Sequence, residues 1–266
     1  AAFMGHIGHV VRNSFRSVLL SLTRGLLAST PGGGAGRHYR RLSWASASFA
    51  ILADVAMGTL GGSLKAKQMV TGRFADILSA MYLGTSTLRR WEYEGRKKED
   101  LVYVDYAMET CFHNMQVAFD GLFANLTVPG ATWFFRGVIG TWSRINRLSS
   151  GPSDYQTHKI AQAIQTPGEQ RSRMIEGIYL ADDGHVWELE KALVAVKASD
   201  AADKKVKAAV RSKKIPKAKG AALYDSALKA NVINQTEFNV IAEAEKLRLS
   251  AIQVDEFTLE DYASRK

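Results

Sequence analysis

The sequence predicts an all-α protein, an antiparallel helical bundle followed by a smaller helical appendage, and three observations predict it. Apolar residues recur at threes and fours through long stretches, with no strand-like alternation. Alanine and leucine are abundant, whereas runs of Val, Ile and Thr are nearly absent. Only five prolines interrupt 266 residues, a length that can bury a real core.

Residues 3–28 read as the first helix, with Phe15, Leu19, Leu22 and Leu26 inward and Arg12, Arg16 and Arg24 between them. His6 and His9 are three apart, but no Cys or carboxylate is near to complete a metal site, so packing or capping is expected. Residues 29–36, Ser-Thr-Pro-Gly-Gly-Gly-Ala-Gly, form a connector. A phosphate-binding Walker loop needs Gly-Lys-Ser/Thr there, and Arg37-His38 follows instead.

From Arg37 the second helix turns Tyr39, Leu42, Phe49, Leu52, Ala56 and Leu60 inward, and small residues among them permit close helix approach. Asp54 sits amid apolar residues, where a hydrogen-bonded or interface position is expected. Gly61-Gly62-Ser63 breaks the helix. The central hairpin spans residues 72–126. Phe74, Ile77, Met81, Leu88 and Trp91 stripe its first helix; Leu101, Val104, Met108, Cys111, Met115, Phe119 and Leu122 stripe the second. A charged loop over 92–100, with Gly95 closing the first helix, makes the two neighbours. Cys111, the single cysteine, rules out a disulfide framework and reads as core.

After a turn at Val128-Pro129-Gly130 comes an aromatic stretch, residues 132–147. Trp133, Phe134, Phe135, Arg136 and Trp142 there suit either a membrane interface or a buried helix seam. The boundary between residues 1–148 and a module of 149–266 falls at Ser149-Ser150-Gly151-Pro152. Shorter helices follow over 155–165, 169–178 and 187–198. Residues 204–219 then carry eight bases and no acid, with Lys204, Lys207, Arg211 and Lys214 on one helical face and Pro216 ending the run. Such a run is a solvated face or a surface for anionic lipid or phosphate-bearing partners. Nucleic acid is not expected, since no interleaved aromatics or reading motif accompany the charge. Helices over 221–230 and 235–252 close the chain, with Thr236 or Asn234 as cap and Phe238, Ile241, Leu247 and Leu249 buried. The acidic tail of Asp255, Glu256, Glu260 and Asp261 is expected to fold back on the basic run.

No uncharged apolar run approaches the ~20 residues of a membrane span. Ala1-Ala2-Phe3-Met4 shows no signal-peptide pattern, so the chain is expected to be a piece of a longer polypeptide, and its single cysteine fits a reducing, cytoplasmic compartment. Read on residues alone it is a helical scaffold; no nucleophile triad, paired-histidine zinc motif or dinucleotide glycine motif stands out.

Several segments carry a resemblance. Gly5-His6-Ile7-Gly8-His9-Val10, Ser21-Leu22-Thr23-Arg24-Gly25, Ser29-Thr30-Pro31 and Leu60-Gly61-Gly62-Ser63-Leu64-Lys65 are four of them. Gly151-Pro152-Ser153-Asp154, His158-Lys159 and the run Glu243-Ala244-Glu245-Lys246-Leu247-Arg248-Leu249-Ser250-Ala251-Ile252-Gln253-Val254-Asp255-Glu256-Phe257 continue the series. In this order the chain resembles the C-terminal part of the large bacterial acyl-CoA dehydrogenase of fatty-acid β-oxidation. The resemblance implies an FAD enzyme that oxidises fatty acyl-CoA to trans-2-enoyl-CoA, with a glutamate base, and passes electrons to an electron-transfer flavoprotein. It also implies a homodimer and a helical domain for subunit contact and peripheral attachment to the inner membrane. The family's Glu-Gly-Ala-Asn-like base segment is absent here. Glu94-Gly95-Arg96 is the nearest text and lies in a charged loop. No catalytic, flavin-binding or metal residue is therefore assigned, and base and flavin are expected in upstream domains. The alternative is a freestanding scaffold or adaptor that binds a protein or an anionic membrane.

Overall fold

A computed structural model describes residues 2–254 and 258–264. Among these residues every regular element is helical. The chain forms two compact units, Ala1–Ala161 and Gln162–Lys266.

The first unit is built on a hairpin of α3 (Gln68–Tyr93) and α4 (Leu101–Asn125). Each helix runs about 38 Å at ~1.5 Å per residue. The stripe expected on α4 is the core itself: Val104, Met108, Cys111, Met115, Phe119 and Leu122 are all buried. Gly84 of α3 lets this packing close, because a Cβ there would meet Met108 Cε at 3.2 Å. Chain reversal follows from two left-handed residues, Gly95 (φ 87) and Arg96 (φ 55). The amide of Arg96 closes on Trp91 O at 2.9 Å, and Trp91 Nε1 donates to Lys97 O at 2.9 Å.

Helix α2 (Gly36–Leu60) buries Trp44, Ala45, Ala47, Leu52 and Ala56 and ends at Gly61 (φ 50), where a 3-10 turn, Gly61–Ala66, leads to the hairpin. Length and composition alone would let Gly36–Ala66 cross a membrane. That corrects the expectation drawn from uninterrupted runs: Asp54 breaks the run, but one charge hardly lowers the average. Within the bundle Trp44, Ala45, Ala47, Leu52 and Ala56 of this helix are buried, while most of the apolar window is only partly covered.

Helix α1 (Ala2–Leu22) is shorter than the expected 3–28. Arg24 (φ 52) and Gly25 (φ 78) turn left-handed, and the amide of Gly25 bonds Leu20 O at 2.7 Å. Gly25 has no room for a side chain, since a Cβ would sit 2.7 Å from Arg40 O. The inward stripe also differs. Leu20 is buried, whereas Phe15 (71% exposed), Leu22 and Leu26 face solvent. Instead α1 turns a small polar face to α2, with Ser17 and Ser48 hydroxyls 3.4 Å apart. Met4, Ile7, Val11, Phe15, Val18 and Leu22 are left as one exposed apolar stripe.

Beyond α4 a π-helical segment, Phe134–Ile139, runs into the short α5 (Gly140–Ile145). Next comes α6 (Asp154–Gln165). Later elements are α7 (Glu169–Ile175), α8 (His185–Arg211), α9 (Ala221–Lys229), α10 (Gln235–Ile252) and α11 (Leu259–Ser264). In the second unit α8 packs on α10 around Ala202, Val206, Ala209, Ile215, Ala227, Ile233 and Ile241. Leu249, expected inside, is exposed. The cap of α10 is Asn234: its Oδ1 accepts from Glu237 N at 2.8 Å while Glu237 Oε2 accepts from Asn234 N at 3.0 Å. Asn234→Ala is expected to cost about 1 kcal/mol. Urea unfolding followed at Trp187, the second unit's tryptophan, measures it, and an unchanged midpoint contradicts the cap.

Candidate functional site

The polar heart of the first unit joins α2 to α4. His38, fully buried, places Nε2 2.7 Å from Asp105 Oδ1, and Arg37 Nη2 reaches the same oxygen at 2.8 Å. One turn on, Arg41 pairs with Glu109 at 2.5 Å and also donates to Leu148 O, while the Ser149 hydroxyl donates to Glu109 Oε2 at 2.5 Å. Phe112 lies between them: its ring stacks on His38 at 6.2 Å and receives the Arg41 guanidinium 4.2 Å above its centroid.

Burial pushes the Asp105 carboxyl upward, but hydrogen bonds from His38 and Arg37 outweigh it and hold the group below its ordinary value. Glu109 follows the same balance, with Arg41 and Ser149 prevailing over burial. These carboxylates stay ionised and engaged, which suits a structural tie rather than a proton-abstracting base. The sequence carries their signal: bases at 37, 38 and 41 of α2 match acids at 105 and 109 of α4. Asp54 is half-buried, and its Oδ2 has no hydrogen-bond partner among the described residues. Cys111 is core, and burial pushes its thiol up, away from nucleophilic use.

Helical packing does not swallow the aromatic stretch. Trp133 (70% exposed), Phe134 (40%) and Trp142 (41%) remain at the surface, joined by Val138 and Ile145. Arg136 is exposed as well. Phe135 alone of the named aromatics turns inward against the bundle core. Trp133, Phe134 and Phe135 form an edge-to-face series with centroids 5.9 and 6.1 Å apart. Trp142 is anchored where its Nε1 donates to Ser21 Oγ at 2.8 Å.

In the second unit Lys204, Lys207, Arg211 and Lys214 are all exposed, yet they do not share one helical face. Helix α8 ends at Arg211, five residues before Pro216, because Lys213 (φ 58) turns left-handed and Lys214 N bonds back to Ala209 O at 2.9 Å. Lys214 therefore leaves the helix surface. Part of the charge is also answered: Lys207 pairs with Asp203 and Lys205 with Glu237. The acids Asp255 and Glu256, and the side chain of Asp261, lie outside the described residues.

In the glycine-rich connector Gly34 is closed off by a neighbouring side chain. A Cβ on Gly34 would meet Leu101 Cδ1 at 2.8 Å, so that backbone faces the protein's own side chain. His9 Nε2 accepts from Asn13 Nδ2 at 2.7 Å, and no group of three metal-ligating side chains occurs among the described residues.

An all-helical bundle with Asp105 and Glu109 committed to ion pairs, and with aromatic and cationic surfaces outside, defines a packing domain. The chain belongs to the family described as acyl-CoA dehydrogenase, C-terminal, bacterial type, whose family model matches residues 1–257. No solved structure matches it.

Proposed function

We propose that the chain is the C-terminal helical platform of an FAD-dependent acyl-CoA dehydrogenase that converts fatty acyl-CoA to trans-2-enoyl-CoA in fatty-acid β-oxidation. The observation that carries this reading is the family match across residues 1–257. Under it, the flavin-binding domains and the glutamate base belong to the upstream part of the same enzyme, which works as a homodimer and passes electrons to an electron-transfer flavoprotein. The engagement of Asp105 and Glu109 in ion pairs supports this division of labour. The chain purified alone is expected to be colourless and unable to desaturate palmitoyl-CoA. A bound flavin spectrum, or turnover by the chain alone, overturns the proposal.

The reading extends to peripheral contact with the cytoplasmic face of the inner membrane through Trp133, Phe134, Arg136 and Trp142. Exposed aromatics beside arginine support it, because such side chains settle at the headgroup level. Lys204 and Arg211 offer a second cationic surface. The chain is expected to co-sediment with phosphatidylglycerol vesicles at low salt, and less as salt rises. Replacing Trp133 and Trp142 together by serine is expected to weaken vesicle binding about tenfold. No sedimentation at low salt removes the membrane contact while leaving the dehydrogenase reading intact.

A further inference from the structure

The first unit contains a cavity of about 410 Å³ between α1, α2, α4 and the π-helical segment. That size falls in the range of small-ligand sites. Trp44, Leu52, Phe119, Phe123 and Ile139 supply much of its wall, and no charged side chain lines it. Its polar groups are already occupied with one another. Gln116 Nε2 donates to Ser143 Oγ at 2.9 Å and to Asp120 Oδ1 at 2.9 Å, Gln116 Oε1 accepts from Leu148 N at 2.8 Å, and Ser17 meets Ser48. Such a wall offers hydrocarbon contact and almost nothing to a polar guest.

One end of the cavity is different. Asn146, on the wall, donates from Nδ2 to Ser21 O at 2.7 Å and accepts at Oδ1 from Arg24 Nε at 2.8 Å. This clasp holds the exposed Arg24 guanidinium against the cavity's end, and both its terminal nitrogens are without an acidic partner among the described residues. The left-handed backbone of Arg24 (φ 52) belongs to the turn that ends α1 and fixes where its side chain starts. Arg37, Arg41 and Arg147 of the same unit are paired with Asp105, Glu109 and Asp120, whereas among the described residues Arg24 is bound only to the neutral Asn146. Val138 and Trp142, partly exposed, stand at the rim.

We propose that this cavity binds the hydrocarbon tail of a single-chain anionic amphiphile, with the acidic head on the guanidinium of Arg24. A fatty acid and a lysophospholipid share that chemistry. The apolar wall accepts the tail, and the terminal nitrogens of Arg24 form charge-assisted hydrogen bonds to a carboxylate or phosphate. The site is independent of the dehydrogenase and membrane readings, because it is tested with dissolved monomers and needs no flavin.

The test is titration of the full chain, read by tryptophan fluorescence since Trp44 and Trp142 line the wall. The probes are palmitate, lysophosphatidylglycerol and the uncharged 1-palmitoylglycerol, each below its micelle concentration. At least one anionic probe is expected to bind saturably, one per chain, and about tenfold more tightly than the neutral one. Palmitate alone assigns a free fatty acid, lysophosphatidylglycerol alone a membrane lipid, and both the whole class. Arg24→Gly keeps the left-handed turn and is expected to erase the tenfold preference without changing neutral binding. Ser48→Leu with Val138→Phe fills the cavity and is expected to abolish binding at unchanged helix content. Should that pair fail to fold, Val138→Trp at the exposed rim serves in its place. The proposal is overturned by no saturable anionic binding, by a preference that survives Arg24→Gly, or by full binding in a folded cavity-filled variant.

Discussion

Phe112→Ala is expected to lower the stability of the first unit by about 3–5 kcal/mol, the usual cost of truncating a fully enclosed aromatic. Phe112 has no solvent exposure and sits under both His38 and Arg41. Its loss removes core contacts and also the ring face beneath a guanidinium, worth a further ~0.5–2 kcal/mol. The vacated space borders two polar side chains already committed to Asp105 and Glu109. Repacking can therefore recover little of the cost. Phe112→Leu keeps most of the volume and is expected to cost under about 1.5 kcal/mol. Trp44, Trp91, Trp133 and Trp142 lie in the first unit, so their fluorescence during urea unfolding reports on it. A loss below ~1 kcal/mol for the alanine variant contradicts this account of the core.

The hairpin was legible because apolar spacing and burial coincide there. Both faces adjoining the stripe of α4 pack against other helices, so the side the pattern marks as apolar is also the side enclosed. On α1 the same period misleads. Spacing identifies an apolar face but does not say which face a neighbour takes, and on α1 the buried residues are Asn13 and Leu20, with Ser17 against Ser48 of α2. The apolar stripe of Phe15 and Leu22 is left outside, beside the cavity that ends at Arg24. That cavity could not be read from sequence. It needs residues of α1, α2, α4 and the π-helical segment brought together across more than a hundred positions, and no local spacing encodes that. Lys214 fails for a different reason. A left-handed lysine at 213 ends the helix without glycine or proline at that position to mark it. The exposure of Trp133 and Trp142 was not legible, since aromatics beside arginine suit a buried helix seam as well as a surface.

Glu109→Ala is expected to destabilise the first unit by about 3–5 kcal/mol, because it leaves Arg41 largely enclosed without its counter-charge. The loss also frees the Ser149 hydroxyl and loosens the strand of contacts that ties residues 148–151 to α4, where Gly151 N bonds Ser149 Oγ at 3.0 Å. Replacing Arg41 by methionine and Glu109 by leucine together removes both charges at similar volume and is expected to recover much of the loss. The pair also sets the response to acid. Glu109 and Asp105 titrate below their ordinary values when folded, so the folded state binds fewer protons than the unfolded chain near those values. Their contribution is complete above the unfolded carboxylate range of ~3.9–4.3 and drains away as pH falls through it and on through the lowered folded values. Urea midpoints of the wild-type chain should accordingly hold steady down to about pH 5 and decline below about pH 4. In the Asp105→Asn, Glu109→Gln variant the midpoint starts lower at neutral pH and falls less steeply across the same interval. Equal acid slopes in the two proteins would show that these carboxylates do not hold the bundle in the ionised form.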